Sequence, residues 1–242
     1  MAQETTITYQ FKFSDGATRA LTVRLGTPDM TLVVEPSADE PDWIKLEFHQ
    51  CPNCTFNSAE HRDCPVARGL APVNDAFYDR VSYEVVDVVV RDAARSYMKT
   101  CPLQEAVSSL MGLIMATSGC PHLDKLRPMV LTHLPFTTAK QAFYRVTSMY
   151  LLAQFFRERR GQTPDWRMRD LARAFEEIRE VNSAFARRLR ESQTEDANLN
   201  AIVKLDCQAD MASFLIEVEQ WDDFENLFQS YFAEQSAAVA GS

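Results

Sequence analysis

Cys51, Cys54 and Cys64 fall in the 17 residues from His49 to Pro65, beside His49 and His61. That stretch holds half of the chain's 6 cysteines and half of its 4 histidines. The two-residue gap of Cys51-x-x-Cys54 lets both sulfurs face one ion, and thiolates suit a borderline-soft cation such as zinc. Cys64 follows after nine further residues. Prolines after Cys51 and Cys64 restrict the turns that hold those sulfurs. The competing reading is a set of reduced, unrelated loop cysteines.

A tetrahedral site needs a fourth ligand. Cys101 and Cys120 are the thiol candidates, and they bracket one expected helix. At about 1.5 Å per residue, their Cα atoms would stand roughly 25 Å apart, so both cannot bind one ion. Cys120 sits in the tight turn Gly119-Cys120-Pro121, which can hold a side chain outward. Cys101 precedes a helix N-terminus, where the dipole favours a reactive thiolate. The spacing therefore favours Cys51, Cys54, Cys64 and Cys120, with Cys101, His61, His122 and His133 as alternates. Cys207 lies four residues from both Val203 and Met211 on an apolar stripe, and reads as a core cysteine.

Three functional classes follow. A closed four-thiolate zinc site would make a structural or regulatory module, with no open position for hydrolysis. The same cysteines could carry an iron–sulfur cluster in a redox sensor or electron carrier. An enzyme would use a pocket near His133, with Arg127, Lys99 and Gln104 around it and Cys101 as nucleophile. The chain has no Gly-rich phosphate loop, no Gly-x-Ser-x-Gly and no His-Glu-x-x-His. Those polar residues read more simply as helix caps and partners at a sheet–helix seam.

The elements that must position these residues fall into two parts. In residues 1–100, Ile7, Tyr9, Phe11 and Phe13 alternate with polar residues, as do Leu21, Val23 and Leu25 after the Ser14-Asp15-Gly16 turn. Thr31–Val34 and Ile44–Phe48 give two more strands, separated by the turn-rich stretch from Glu35 to Pro41. The second of these delivers the chain into Cys51. Asn53–Ala71 reads as irregular, Val73–Tyr78 as a turn or two of helix, and Ser82–Arg91 with Arg95–Lys99 as a hairpin. From Pro102 the period changes from 2 to 3.6. A helix runs to Thr117 and stops at Gly119, and a short one covers His122–Thr132. The capping box Thr138-x-x-Gln141 opens a helix to Arg160 that is apolar nearly all round, hence buried and central. Met168, Leu171, Phe175, Ile178, Phe185 and Leu189 mark the next helix. Another starts at about Leu199 and a last one covers Trp221–Phe232. The expected fold is α+β: a mainly antiparallel sheet of about six strands with its Cys-rich loop at 51–65, then a bundle of about five to six helices over 101–235, and a frayed tail at 236–242.

Composition bounds the partners. The chain has 242 residues, 46% hydrophobic and 24% charged, and a net charge of -9. That balance opposes nucleic-acid binding, which needs a cationic surface. The arginine clusters at 157–160 and 187–190 read as solvated helix ends. The start of the chain carries no secretory signal, and no run reaches the ~18 apolar residues of a membrane span. A cytoplasmic protein with reduced thiols is expected, which favours metal over disulfides. A protein partner and the oligomeric state stay open.

The chain also resembles an uncharacterised bacterial Cys-Pro-rich family, a domain of unknown function. The likeness rests on Gln50-Cys51-x-x-Cys54, Cys64-Pro65-Val66-Ala67, Leu103-Gln104, the run Ile114 to Pro121, Arg127-Pro128-Met129, His133-Leu134-Pro135-Phe136, and Tyr144-Arg145 with Ser148 to Leu152. It covers residues 45–155 and implies no activity. In the family pattern a hydroxyl residue is usual where this chain has Cys101, which favours Cys120 as the shared ligand. An acidic residue is usual near Lys140 or Gln141, so this chain departs from any family role at that position.

Overall fold

The computed structural model describes residues 3–35, 40–192, 196–217 and 221–232. The alternation of Ile7, Tyr9, Phe11 and Phe13 is realised: all four are buried, Tyr9 and Phe11 completely. Their strand, β1 (Glu4–Lys12), pairs antiparallel with β2 (Thr18–Gly26) over its full length. Gly16 turns the hairpin at φ +86°, a conformation glycine adopts without strain. With β3 (Thr31–Leu32), β4 (Val85–Arg91) and β5 (Ser96–Pro102) the sheet has the order β3-β2-β1-β4-β5, every pair antiparallel. A helical region follows, so the fold is α+β. It comprises α2 (Leu103–Thr117), a 3-10 stretch (Leu123–Thr132), α3 (Ala139–Arg159), α4 (Arg169–Glu191), α5 (Asp196–Glu217) and α6 (Asp222–Glu225).

One face of the sheet packs on helices. The Phe77 ring, at the end of α1 (Pro65–Phe77), meets Phe11 edge-on at 4.8 Å. The helix at the centre of the fold is α2, where Leu103, Ala106, Val107, Leu110 and Met111 are at most 1% exposed. Gly69 of α1 approaches it closely: an added Cβ would lie 3.0 Å from the Ile114 methyl group and 2.8 Å from Leu32. On α4 the apolar stripe of Leu171, Phe175, Ile178, Phe185 and Leu189 is buried as its spacing requires.

Several elements differ from the expectation. Among the described residues the sheet has five strands, because Ile44–Phe48 does not form one. Trp43, Ile44 and Leu46 are all buried, so consecutive side chains point inward and the period of a strand is lost. The chain curls through a 3-10 turn at Asp42–Ile44 and touches the Cys64 segment by a single Lys45–Asp63 bridge. α1 starts at Pro65, well before Val73; proline at the first helical position was the signal. α3 is not the buried centre: Leu152, Phe155 and Phe156 are about half exposed. Cys207 is exposed and Val203 is 44% exposed, so that stripe of α5 faces outward; the inward face carries Ala197, Ala201, Ile202 and Ala209. The expected tail at 236–242 lies outside the described residues, as do 36–39 and the side chains at 211–220.

Candidate metal centre

Three separate stretches deliver cysteines to one place. In the first, the Cys54 N–H donates to the Cys51 carbonyl at 3.0 Å, which closes the knuckle. Cys64 caps the N-terminus of α1, and its N–H donates to the Ile44 carbonyl at 2.9 Å. Cys120 follows Gly119, which turns the chain out of α2 at φ +89°. The sulfur of Cys120 accepts the backbone N–H groups of Leu123 and His122, at the start of the 3-10 stretch.

Cys51, Cys54, Cys64 and Cys120 together line a cavity of about 20 Å³, closed by Leu46, Phe56 and Phe185. A sphere the size of a water needs about 10–15 Å³, so the space suits one small occupant. Burial first, then the neighbouring Cys64, Cys120 and Cys54, push the Cys51 thiol up to about 12, and burial also raises Cys120. The sulfurs do not form a finished coordination shell. Among the described residues, no group of three or more His, Cys, Asp or Glu side chains is arranged to hold a metal ion as it stands.

The cavity wall includes one cation. Arg188 of α4 is 2% exposed and donates to the carbonyl oxygens of Trp43, Lys45 (2.7 Å) and Leu46 (3.2 Å). Among the described residues no carboxylate pairs with it. Burial pulls its guanidinium down, and the ionised forms of Cys64, Cys51 and Cys54 are the groups that push it back up. A buried charge needs a counter-charge, and the neighbouring sulfurs would supply one only when deprotonated.

Of the histidines, His122 lines this cavity beside the cysteines, but its ring is engaged by other groups. Both ring nitrogens of His122 face oxygen acceptors, the Asn53 carbonyl at 2.7 Å and a Glu177 carboxylate oxygen at 3.1 Å. Glu177 also takes Lys125 at 2.7 Å, and the Asn53 amide donates to the Glu177 carbonyl at 3.0 Å. His61 is exposed and stacks on Phe56 at 4.0 Å. His133 lies in a separate cleft of about 430 Å³. Its Nε2 is 2.7 Å from the Tyr9 hydroxyl, which is 2.9 Å from Ser109 Oγ. Lys99, Cys101, Gln104 and Arg127 do not line that cleft. Lys99 pairs with Glu105 at 2.5 Å and Arg127 with Asp124 at 3.1 Å. Burial and Glu105 raise the Cys101 thiol to about 11, which is the opposite of an activated nucleophile.

A family model for a domain of unknown function, DUF6901, matches residues 7–229. The chain belongs to the DUF6901 family. No curated protein and no solved structure is significantly similar to it. The DUF6901 match extends well past the Cys-rich half into α5 and α6, so the family is defined by sheet and helices together. Among the described residues of this DUF6901 chain, no helix is long and apolar enough to cross a membrane.

Sequence reasoning missed Glu177 and Asn53, and it misread Arg188, which was expected in a solvated arginine cluster at a helix end but is 2% exposed because its guanidinium is drawn inward by three backbone carbonyls. Arg188 had a faint signal, since it falls on the apolar stripe of α4 one residue before the fully buried Leu189.

Proposed function

We propose that Cys51, Cys54, Cys64 and Cys120 bind one zinc ion as four thiolates, and that the chain is a metal-binding module of regulatory or interaction type. The observation that carries this reading is the convergence of four thiols, 56 residues apart at the widest gap, on one cavity of about 20 Å³. Arg188 supports it, because four thiolates around a dication leave a net negative charge for a buried guanidinium to offset. The fit requires the side chains to turn toward a common centre, a change of rotamer at one torsion each. Burial holds the Cys51 and Cys120 thiols against ionisation on their own, whereas a bound dication deprotonates its sulfur ligands outright. With four protein ligands the ion has no open position, so its work would be to hold the Cys-rich loop against the end of α2.

Metal analysis of the purified chain tests this, with Cys54→Ser, Cys101→Ser and Cys120→Ser compared for metal content and melting temperature. The expected result is about one zinc per chain and a colourless sample. Cys54→Ser and Cys120→Ser lose the metal and melt lower, and Cys101→Ser keeps it. A brown sample with iron would replace zinc by a cluster. Metal-free protein, or metal retained in both Cys54→Ser and Cys120→Ser, would overturn the site.

A further inference from the structure

The cleft between α2, α3, α4 and α5 has a volume of about 430 Å³, within the size range of small-molecule sites. Its walls are mostly aliphatic, with Leu113, Met129, Val130, Val146 and Ile178 among them. A wholly polar ligand would find few partners along such walls.

The charges are few and unevenly satisfied. Glu105 is flanked by Lys99 at 2.5 Å and Lys204 at 3.8 Å. Arg145 has no carboxylate partner among the described residues. Its Nη2 donates to the carbonyl oxygens of Met129 (2.9 Å) and Thr132 (2.7 Å), which fixes the side chain at the end of the 3-10 stretch. Nε and Nη1 carry no partner among the described residues. Of the cations on the wall, Lys204 shares Glu105 with Lys99, which leaves Arg145 as the one without an acidic partner among the described residues. His133 adds no charge, since burial and Arg145 hold its imidazole down to about 4.

We infer that this cleft binds a monovalent amphipathic anion, an aliphatic carboxylate, with its chain between α2 and α4 and its head on Arg145. One unpaired positive charge matches a carboxylate better than a doubly charged phosphate monoester. A charge-assisted bond to a fixed guanidinium is stronger than a neutral one. The site is separate from the cysteine cavity and does not depend on metal.

Calorimetric titration with dodecanoate, dodecanol and dodecylamine, each below its micellar concentration, tests the inference on the unaltered chain. Dodecanoate is expected to bind at least about tenfold more tightly than dodecanol, and dodecylamine most weakly. Ala142→Phe, which adds a ring to the cleft wall, is expected to abolish binding. Equal binding of alcohol and carboxylate would remove Arg145 as the anchor. Failure of all three probes to bind, or undiminished binding in a folded Ala142→Phe chain, would overturn the site.

Discussion

His122 Nε2 lies 2.7 Å from the carbonyl oxygen of Asn53, so the second residue after Cys120 is bonded to the residue between Pro52 and Cys54. Glu177 of α4 grips the same pair, taking Nδ1 of His122 on its carboxylate and the Asn53 amide on its backbone carbonyl. His122→Ala removes this clasp and leaves the Asn53 carbonyl without its donor. The expected cost is about 1–2 kcal/mol of stability, read by chemical denaturation. Metal affinity, measured by competition with a chromogenic chelator, is expected to fall about tenfold or more.

Arg188→Met should be more damaging than its isosteric look suggests. It deprives three carbonyl oxygens, two of them in buried bonds, of their donor and takes away the cation beside the cysteines. A loss of roughly 3 kcal/mol or more is expected. Arg188→Lys keeps the charge but not the reach to three acceptors, so its melting temperature should fall between those of Arg188→Met and the unaltered chain.

His133 gives the stability a pH dependence. Burial chiefly, then Arg145, hold it down to about 4 against an ordinary 6.5, with Asp92 pushing weakly upward. As pH falls through 6.5 the unfolded chain takes up a proton that the native chain refuses until about 4. Stability is therefore full above the upper value and lost between the two as the solution is acidified. His133→Gln, which keeps a partner for the Tyr9 hydroxyl, should remove up to about 2 kcal/mol of the loss between about pH 7.5 and about pH 5. Parallel denaturation curves at the two pH values check it; identical slopes with pH in both chains would refute it.

Cys207→Ser is expected to change stability by less than about 0.5 kcal/mol and to leave metal content unaltered. The exposed thiol should react quickly with a water-soluble maleimide, ahead of the buried Cys64 and Cys101.

What could be read from the residues depended on how local the cause was. The β1–β2 hairpin and the ends of α2 follow from alternation, turn chemistry and caps within a few residues of each other. The same holds for the Thr138–Gln141 capping box, where both reciprocal bonds form. That Cys101 and Cys120 could not share one ion rested on the length of one helix, and the two do lie at opposite ends of α2. The failures arose where the answer was set by distant partners. Phe155 and Phe156 look like core by type, yet no layer of the described chain covers them. Cys207 has core spacing, but spacing alone does not choose which face of α5 turns inward. Arg188 and Glu177 meet groups more than 120 residues away, a relation that no window along the chain contains.

β1 occupies the middle of the sheet, yet along the chain it comes before both of its neighbours. One of its edges is filled at once by β2, through a tight turn. The other edge waits for β4, whose Val88–Arg91 pair with Thr8–Phe11 about 80 residues later. Until then the nascent chain presents an open edge on a strand whose inward face carries Ile7, Tyr9 and Phe11. The Cys-rich loop and α1 are synthesised inside that interval. Whatever orders them early shortens the search by which β4 finds its place, and whatever delays them prolongs the time in which an unpaired strand can meet another copy of itself.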